Sequence, residues 1–339
     1  MPMLTGQFSK TQLAQPVRNL SVNSSDEMVT FKIVNNQSPS LFKALWQWYS
    51  LSKNIYLIFP ILGGLSYFLS QHEQINVGLI VSSFLALQFF LLSLTLLNDY
   101  SDYVNGVDRI NEYQSQKPLV QGLIRPFQAW QLAIGFLGLA FLSALYCFFI
   151  KPFVLVMALA GLVIGFGLFS TFISRQFKGL SLVATFLLGG PLLVLGYEYL
   201  LFDQMTLASA LLGSVFGYHA LKYDFCRQMR DIFYSSKARL KTLSSLLGFE
   251  KSKFIYTIMS ILHLAVLAGF VMNIGQASLM LILLVSVGFE AYINYTLYRA
   301  PSFLSSNMNH CMSLQKFHYT LECSLIVFIF LSPQWLSLF

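Results

Sequence analysis

The chain has 339 residues, 56% of them hydrophobic and only 10% charged, with a mean hydropathy of +0.63 and a formal net charge of +7. A soluble domain carries about 25% charged residues, so an ordinary soluble fold is excluded and an integral membrane protein is expected. Cys147, Cys226, Cys311 and Cys323 show neither close pairing nor metal-ligand spacing, which excludes a disulfide framework and leaves them as small apolar residues.

Residues 1–40 are polar, rich in Ser, Asn and Gln, and carry no apolar core like that of a signal peptide. They are expected to form a flexible cytosolic tail with a short ordered piece at Met28–Val34. Residues 41–339 are expected to form a single transmembrane domain. It opens with Leu41–Ser52, where Trp46, Trp48 and Tyr49 predict an interfacial helix or anchor. Apolar segments of bilayer-spanning length then follow near 54–70, 77–97, 128–150, 152–173, 180–202, 206–226, 254–273, 277–298 and 320–338. The third and fourth join through a tight turn at Lys151-Pro152. Pro60, Pro191 and several glycines fall inside spans, where neighbouring helices can satisfy the freed backbone groups. The fold expected is an all-α integral membrane bundle of about nine transmembrane helices.

Orientation follows from Lys and Arg. With the N-terminus cytosolic and the C-terminus outside, 20 of the 21 basic residues fall on the cytosolic side and only Lys151 falls opposite. The basic balance therefore reports topology in a lipid bilayer. No basic face is left over for nucleic acid.

The second apolar segment runs into Leu97-Asn98-Asp99-Tyr100-Ser101-Asp102-Tyr103-Val104-Asn105-Gly106-Val107-Asp108. Carboxylates at the end of a membrane-length helix are costly unless a cation neutralises them. If the helix continues, Asn98, Asp99 and Asp102 share a face, and a turn at Gly106 can return Asp108 toward it. Converging oxygen ligands suit Mg²⁺, which shares substrate phosphates with one or two carboxylates. A second polar cluster ends the sixth segment, where Asp224, Asp231 and Ser235 fall on one helical stripe. Two such clusters, four segments apart, hint at a diverged internal duplication. Facing each other, they could hold a Mg²⁺-diphosphate, with Lys117, Arg230, Lys237 and Lys241 as candidates for its oxygens. The apolar spans behind would hold a long hydrocarbon. The 32 Phe and 17 Tyr could shield an allylic cation, although Phe is also ordinary membrane filler.

At these residues the sequence resembles the UbiA superfamily of membrane aromatic prenyltransferases over about residues 45–335. Asn98, Asp99 and Asp102 match the family's N-D-x-x-D motif. Gly106-Val107-Asp108 and Gly190-Pro191-Leu192-Leu193-Val194-Leu195-Gly196-Tyr197-Glu198-Tyr199 are similar to the menaquinone branch, the 1,4-dihydroxy-2-naphthoate prenyltransferases. Tyr197 and Glu198 depart from that branch's segment, and Lys117-Pro118-Leu119-Val120-Gln121-Gly122 looks like a segment of the ubiquinone branch with Lys in place of Arg. Asp231 matches the first aspartate of the family's D-x-x-x-D motif, while Ser235 replaces the second. The resemblance implies Mg²⁺-dependent transfer of a polyprenyl group from its diphosphate to an aromatic acceptor, 1,4-dihydroxy-2-naphthoate or a relative. It implies Asn98, Asp99, Asp102 and Asp231 as catalytic residues, with Asp99, Asp102, Asp108, Asp231 and Asp224 around the metal. With no transit peptide in view, a bacterial inner membrane with a cytoplasmic active face is expected.

Blander readings stand beside these. Asn98–Asp108 could be a solvated, capped helix end, and Asp224 a structural partner of Lys222 or Arg227. Lys237, Arg239 and Lys241 could anchor to anionic lipid. Glu198, Glu290 and Glu322 lie inside spans, where ionisable residues are functional candidates by default. Glu198 can also simply face the interface. His219, His263, His310 and His318 stand at unrelated spacings and predict no metal constellation. Ser235 motivates a non-catalytic isoprenoid- or quinone-binding relative as the alternative function. A transporter is a further alternative, for which charges near span midpoints would be expected.

Overall fold

The computed structural model describes residues 12–16, 31–35, 41–48, 51–71, 76–106, 108, 111, 114, 117–169, 179–238 and 240–336. Tyr49, His72, Val107, Arg239 and the end of the fourth apolar segment (170–173) lie outside them. The described chain forms two compact units, residues 1–50 with 89–139 and residues 51–88 with 140–339. Two long helices contribute to both.

Apart from one strand pair, every element among the described residues is helical. Where the composition predicts a flexible tail, β1 (Gln12–Pro16) and β2 (Phe31–Asn35) pair antiparallel, with Leu13 opposite Val34 and Gln15 opposite Lys32. The second strand overlaps the ordered piece expected at Met28–Val34. Alternation in both segments is short and interrupted by polar residues, so the pairing partner is not visible in either alone.

In the first unit, α1 (Leu41–Trp48) is amphipathic. It buries Ala44 and Trp48 and leaves Phe42 and Trp46 exposed. Helix α3 (Val77–Val104) contributes its second half and α4 (Pro126–Ile150) its first. Ser93 Oγ donates to the Ala133 carbonyl at 2.7 Å, tying these two together. Ala44, Trp48, Leu96, Tyr103, Leu119, Val120, Leu123 and Ile124 close the core with Ala129 and Ala133.

The second unit contains α2 (Leu51–Gln71), α5 (Phe153–Phe169), α6 (Leu180–Leu188), α7 (Pro191–Phe202), α8 (Leu207–Arg230), α9 (Ile232–Lys237), α10 (Leu243–Leu247), α11 (Phe249–Ile274), α12 (Leu279–Tyr298) and α13 (Ser306–Leu336). Helix α8 is its axis and packs against α2, α6, α7, α11 and α13. Around α11 and α12, apolar residues line both faces. Tyr256, Leu267 and Ile293 are buried, while Ile261, Met272 and Leu284 are exposed. Hydrophobicity all round is what a lipid-facing helix requires.

Among the described residues, six helical stretches are long and apolar enough to cross a membrane: Val77–Val104, Pro126–Ile150, Leu180–Phe202, Phe249–Ile274, Leu279–Tyr298 and Ser306–Ser332. Ile58–Gln71 and Phe153–Gly165 are shorter apolar helices. The remaining expected segment, 206–226, lies in α8, whose polar residues lower its hydropathy. The last helix starts at Ser306 rather than near 320, because its polar residues continue the helix instead of forming a loop.

The fifth expected segment is broken at Gly189-Gly190 between α6 and α7, with Pro191 opening the second half. Its backbone lies directly on α8. A Cβ on Gly190 would meet the Gly213 carbonyl oxygen and approach the Gly217 Cα to 2.6 Å, and one on Gly213 would come within 2.8 Å of the Pro191 Cα. Glycines four apart on one helix let backbones meet this closely. The obstructing atoms belong to the backbone and cannot swing aside. Gly190→Ala is therefore expected to lower stability by about 1–3 kcal/mol, as overpacking does, measured by thermal unfolding in detergent. An unchanged melting temperature would show that the α7–α8 contact is loose.

Candidate functional site

The first acidic cluster lies wholly within the first unit. Helix α3 continues through Val104, so Asn98, Asp99 and Asp102 sit on consecutive turns, and Asn98 Nδ2 donates to Asp102 Oδ2 at 3.4 Å. Gly106 then takes a φ of 80°, a value that favours glycine. Its N–H donates to the Tyr103 carbonyl, which turns the chain. Asp108 comes back to meet Lys117. The lysine Nζ lies 2.8 Å from Asp99 Oδ1, 2.8 and 3.0 Å from the two oxygens of Asp108, and 3.9 Å from Asp102 Oδ2.

Two apolar anchors hold this arrangement. Lys117 leads a run of turns in which Leu119, Val120, Leu123 and Ile124 are buried, so the chain beside the ammonium is fixed by the core. From α1, the buried Trp48 donates through Nε1 to Asp99 Oδ2 at 2.8 Å. Trp48 therefore does more than anchor the helix at the membrane interface, and helical spacing carries no sign that one tryptophan of the helix turns inward onto the acidic motif.

The electrostatics follow from burial. Desolvation raises the Asp108 carboxyl to about 7, with the Asp102 and Asp99 charges adding to the rise and Lys117 opposing it. Burial works against the Lys117 charge, but Asp99, Asp108 and Asp102 outweigh it and hold the ammonium above the ordinary lysine range. The site is a set of hard oxygen donors gathered around one cation.

The second cluster lies in the second unit. Helix α8 ends at Arg230, and Asp231 is the joint before α9, so the expected stripe is carried on two helices. Arg230 forks onto Asp231, with Nε at 2.8 Å from Oδ1 and an Nη at 3.3 Å from Oδ2. Asp224 pairs with Arg227 and accepts from Gln228 Nε2 at 3.4 Å. Ser235 is buried, its N–H donating to the Asp231 carbonyl at 2.9 Å. Lys237 and Lys241 are exposed, and Lys237 lies 4.4 Å over the Phe233 ring.

Of the acids inside spans, Glu198 is buried rather than interfacial. Its carboxylate accepts the Thr206 N–H and hydroxyl, both at 2.7 Å, tying the end of α7 to the start of α8. The expectation that the histidines form no constellation is overturned. His219, His263 and His318 come together with Glu290, Glu322 and Lys222, all buried, inside the second unit. Spacing failed because the six residues come from four helices. The available signals were His219/Lys222 and His318/Glu322, three and four apart, each pair sharing a helix face. All four cysteines are buried and free.

The model of the UbiA prenyltransferase family matches residues 57–310. No curated protein matches the sequence. Among solved structures, a UbiA homolog from Archaeoglobus fulgidus bound to GPP and Mg²⁺ aligns with a TM-score of 0.63 at 16% identity, covering 84% of this chain and 99% of that one. The same homolog bound to DMAPP and Mg²⁺ aligns at 0.61 and 17%, with the same coverage. An apo UbiA homolog from Aeropyrum pernix K1 aligns at 0.59 and 16%, covering 81% and 98%. At these identities the structural likeness speaks to the fold.

Proposed function

The chain belongs to the UbiA prenyltransferase family, and from that premise we propose that it transfers a polyprenyl group from polyprenyl diphosphate to an aromatic acceptor. The observation that carries the proposal is the gathering of Asp99, Asp102 and Asp108 around a single cation at the end of α3. An all-oxygen donor set of this kind fits Mg²⁺. Asp99, Asp102 and Asp108 would hold it, with Asp231 and Asp224 as further candidates. When bound, Mg²⁺ neutralises the diphosphate as a leaving group. Asn98 positions the Asp102 carboxylate. Lys117, Arg230, Lys237 and Lys241 are the candidate cations for diphosphate oxygens. The allylic C–O bond breaks, an acceptor carbon forms the new C–C bond, and proton loss restores aromaticity. The motifs around Gly106–Asp108 and Gly190–Tyr199 favour 1,4-dihydroxy-2-naphthoate as acceptor, its carboxylate leaving as CO₂ with a proton taking its place, and a place in menaquinone formation. The apolar segments favour nine spans, and the charge distribution favours a cytosolic N-terminus, an outer C-terminus and an active face on the cytoplasmic side, with a bacterial inner membrane as the expected location.

The assay pairs purified protein and Mg²⁺ with labelled geranyl to long-chain prenyl diphosphates and a panel of naphthoate, benzoate and homogentisate acceptors. A Mg²⁺-dependent prenylated product is expected. No product with any pair, alongside retained isoprenoid binding, would establish the second reading, a non-catalytic binder. The neutral, buried Ser235 motivates that reading, because it removes a carboxylate from the second motif. Ser235→Asp is expected to raise Mg²⁺ affinity or turnover. No change in either would place residue 235 outside the metal shell. The transport reading gains charges near span midpoints from the buried His–Glu cluster, but family membership favours the transferase.

Asp108 sets a pH dependence. Because its carboxyl is raised to about 7, it holds its proton at pH 6 and must release it when the metal binds. Mg²⁺ affinity should fall about tenfold per pH unit below 7 and level off above it. Calorimetric titration in two buffers of different ionisation enthalpy counts the released proton. An affinity flat from pH 6 to 8 would remove Asp108 from the metal site.

A further inference from the structure

The His–Glu cluster of the second unit has no part in the transfer reaction proposed above. It lies near the middle of four helices: His219 and Lys222 on α8, His263 on α11, Ser286 and Glu290 on α12, and His318 and Glu322 on α13. All seven are buried. Glu322 is the hub. Its Oε1 lies 3.0 Å from His219 Nε2 and 3.4 Å from His263 Nε2, and its Oε2 lies 3.2 Å from His318 Nε2. Ser286 Oγ also donates to Oε2.

We propose that His219, His263 and Glu322, with His318 as fourth donor, form a binding site for a divalent first-row transition metal ion, Zn²⁺ by preference. One ligand atom from each of the first three lies within 4.8 Å of the others. Tetrahedral zinc with bonds of 2.0–2.1 Å has ligand–ligand edges of about 3.3 Å, and the separations of His219 Nε2 and His263 Nε2 from Glu322 Oε1, 3.0 and 3.4 Å, fall on either side of that value.

The surroundings of His263 aim it at the site. His263 Nδ1 lies 3.0 Å from Glu290 Oε1 and 3.2 Å from Lys222 Nζ, so one nitrogen is held by a carboxylate–ammonium pair while Nε2 faces Glu322. A carboxylate holding the outer nitrogen is the usual support of a metal-bound imidazole. His263 Nε2, both nitrogens of His318 and His219 Nδ1 are buried without a hydrogen-bond partner. Unpartnered ring nitrogens are expensive in a membrane interior, and a metal would satisfy those aimed at Glu322.

The charge count leaves room for a cation. With neutral imidazoles, two carboxylates face one ammonium, so the cluster carries one net negative charge, which a divalent ion would turn into one net positive charge. Imidazole donors select zinc, iron, copper or nickel over magnesium. Ligands drawn from three helices would let the ion clamp α8, α11 and α13, with His318 beside the other oxygen of Glu322.

The test uses full-length protein in detergent with any affinity tag removed, expressed with zinc supplementation. Elemental analysis should find about one zinc per chain. Glu322→Gln and His263→Ala should each lower that stoichiometry at least about tenfold. Asp99→Ala should leave it unchanged, which separates this site from the one at the end of α3. After chelation, Co²⁺ should give the visible absorption of a tetrahedral complex. His219→Cys should add a sulfur-to-cobalt charge-transfer band, a readout that misfolding cannot produce. Folded wild-type protein with less than about a tenth of an equivalent of every first-row metal, and no cobalt spectrum, would overturn the proposal. Zinc retained in a His219→Ala/His263→Ala/Glu322→Gln variant would overturn it equally, and the buried charges would then be balanced by a protonated histidine.

Discussion

Asp99→Ala is expected to lower kcat/KM for Mg²⁺-dependent prenyl transfer by on the order of a thousandfold or more, about 4 kcal/mol of transition-state stabilisation. The size follows from what converges on this side chain. One oxygen accepts from Trp48 at 2.8 Å, and the other lies 2.8 Å from the shared ammonium of Lys117. The carboxylate is buried, so its charge acts in a medium that screens it weakly. Alanine removes a metal ligand and leaves the Trp48 N–H without its acceptor. Asp102→Ala should lose activity to a similar degree, with a smaller stability cost because Asp102 is more exposed. Initial rates under saturating Mg²⁺, together with unfolding curves, separate the two effects. Activity within tenfold of wild type in Asp99→Ala would remove this residue from the catalytic set.

Lys117→Met tests the same cluster from the other side. Methionine keeps most of the stem and removes the charge shared by Asp99, Asp108 and Asp102. Breaking a buried ion pair by deleting one partner is expected to cost about 3–5 kcal/mol, read as a lowered melting temperature without Mg²⁺. Added Mg²⁺ should then stabilise the variant more than the wild type, because the metal supplies the missing positive charge and no longer competes with the ammonium. If Lys117 also contacts diphosphate, KM for the prenyl donor rises in the variant. A melting temperature close to wild type, with no added response to Mg²⁺, would show that the carboxylates do not depend on this lysine.

The first motif was legible because it is local. Asn98, Asp99 and Asp102 are fixed on one face by the helical period, and Gly106 marks the turn that brings Asp108 back. The partner Lys117 was legible as a charge but not as the centre of the cluster. Its position depends on Leu119, Val120, Leu123 and Ile124 packing against Leu96 and Trp48. The inward turn of Trp48, while Trp46 stays exposed, likewise depends on what α1 packs against. In the second cluster helical spacing grouped Asp224, Asp231 and Ser235, but showed neither the helix break at Asp231 nor the pairing of Arg230 with Asp231 and of Arg227 with Asp224.

Composition together with the length of the apolar segments determined that this protein is helical and membrane-embedded, because apolar runs of about 20 residues match a spanning helix and are too long for a spanning strand. Local spacing determined where the acidic side chains of the first motif lie, because neighbours along a helix need no tertiary contact to share a face. Only the tertiary structure decided which cation the acids gather around, how closely the Gly189-Gly190 break meets Gly213 and Gly217, and that Glu290 and Glu322 meet three histidines. The His263–Glu290 and His219–Glu322 contacts join residues 27 and 103 positions apart. Nothing in a local pattern specifies which buried faces of separate helices will meet.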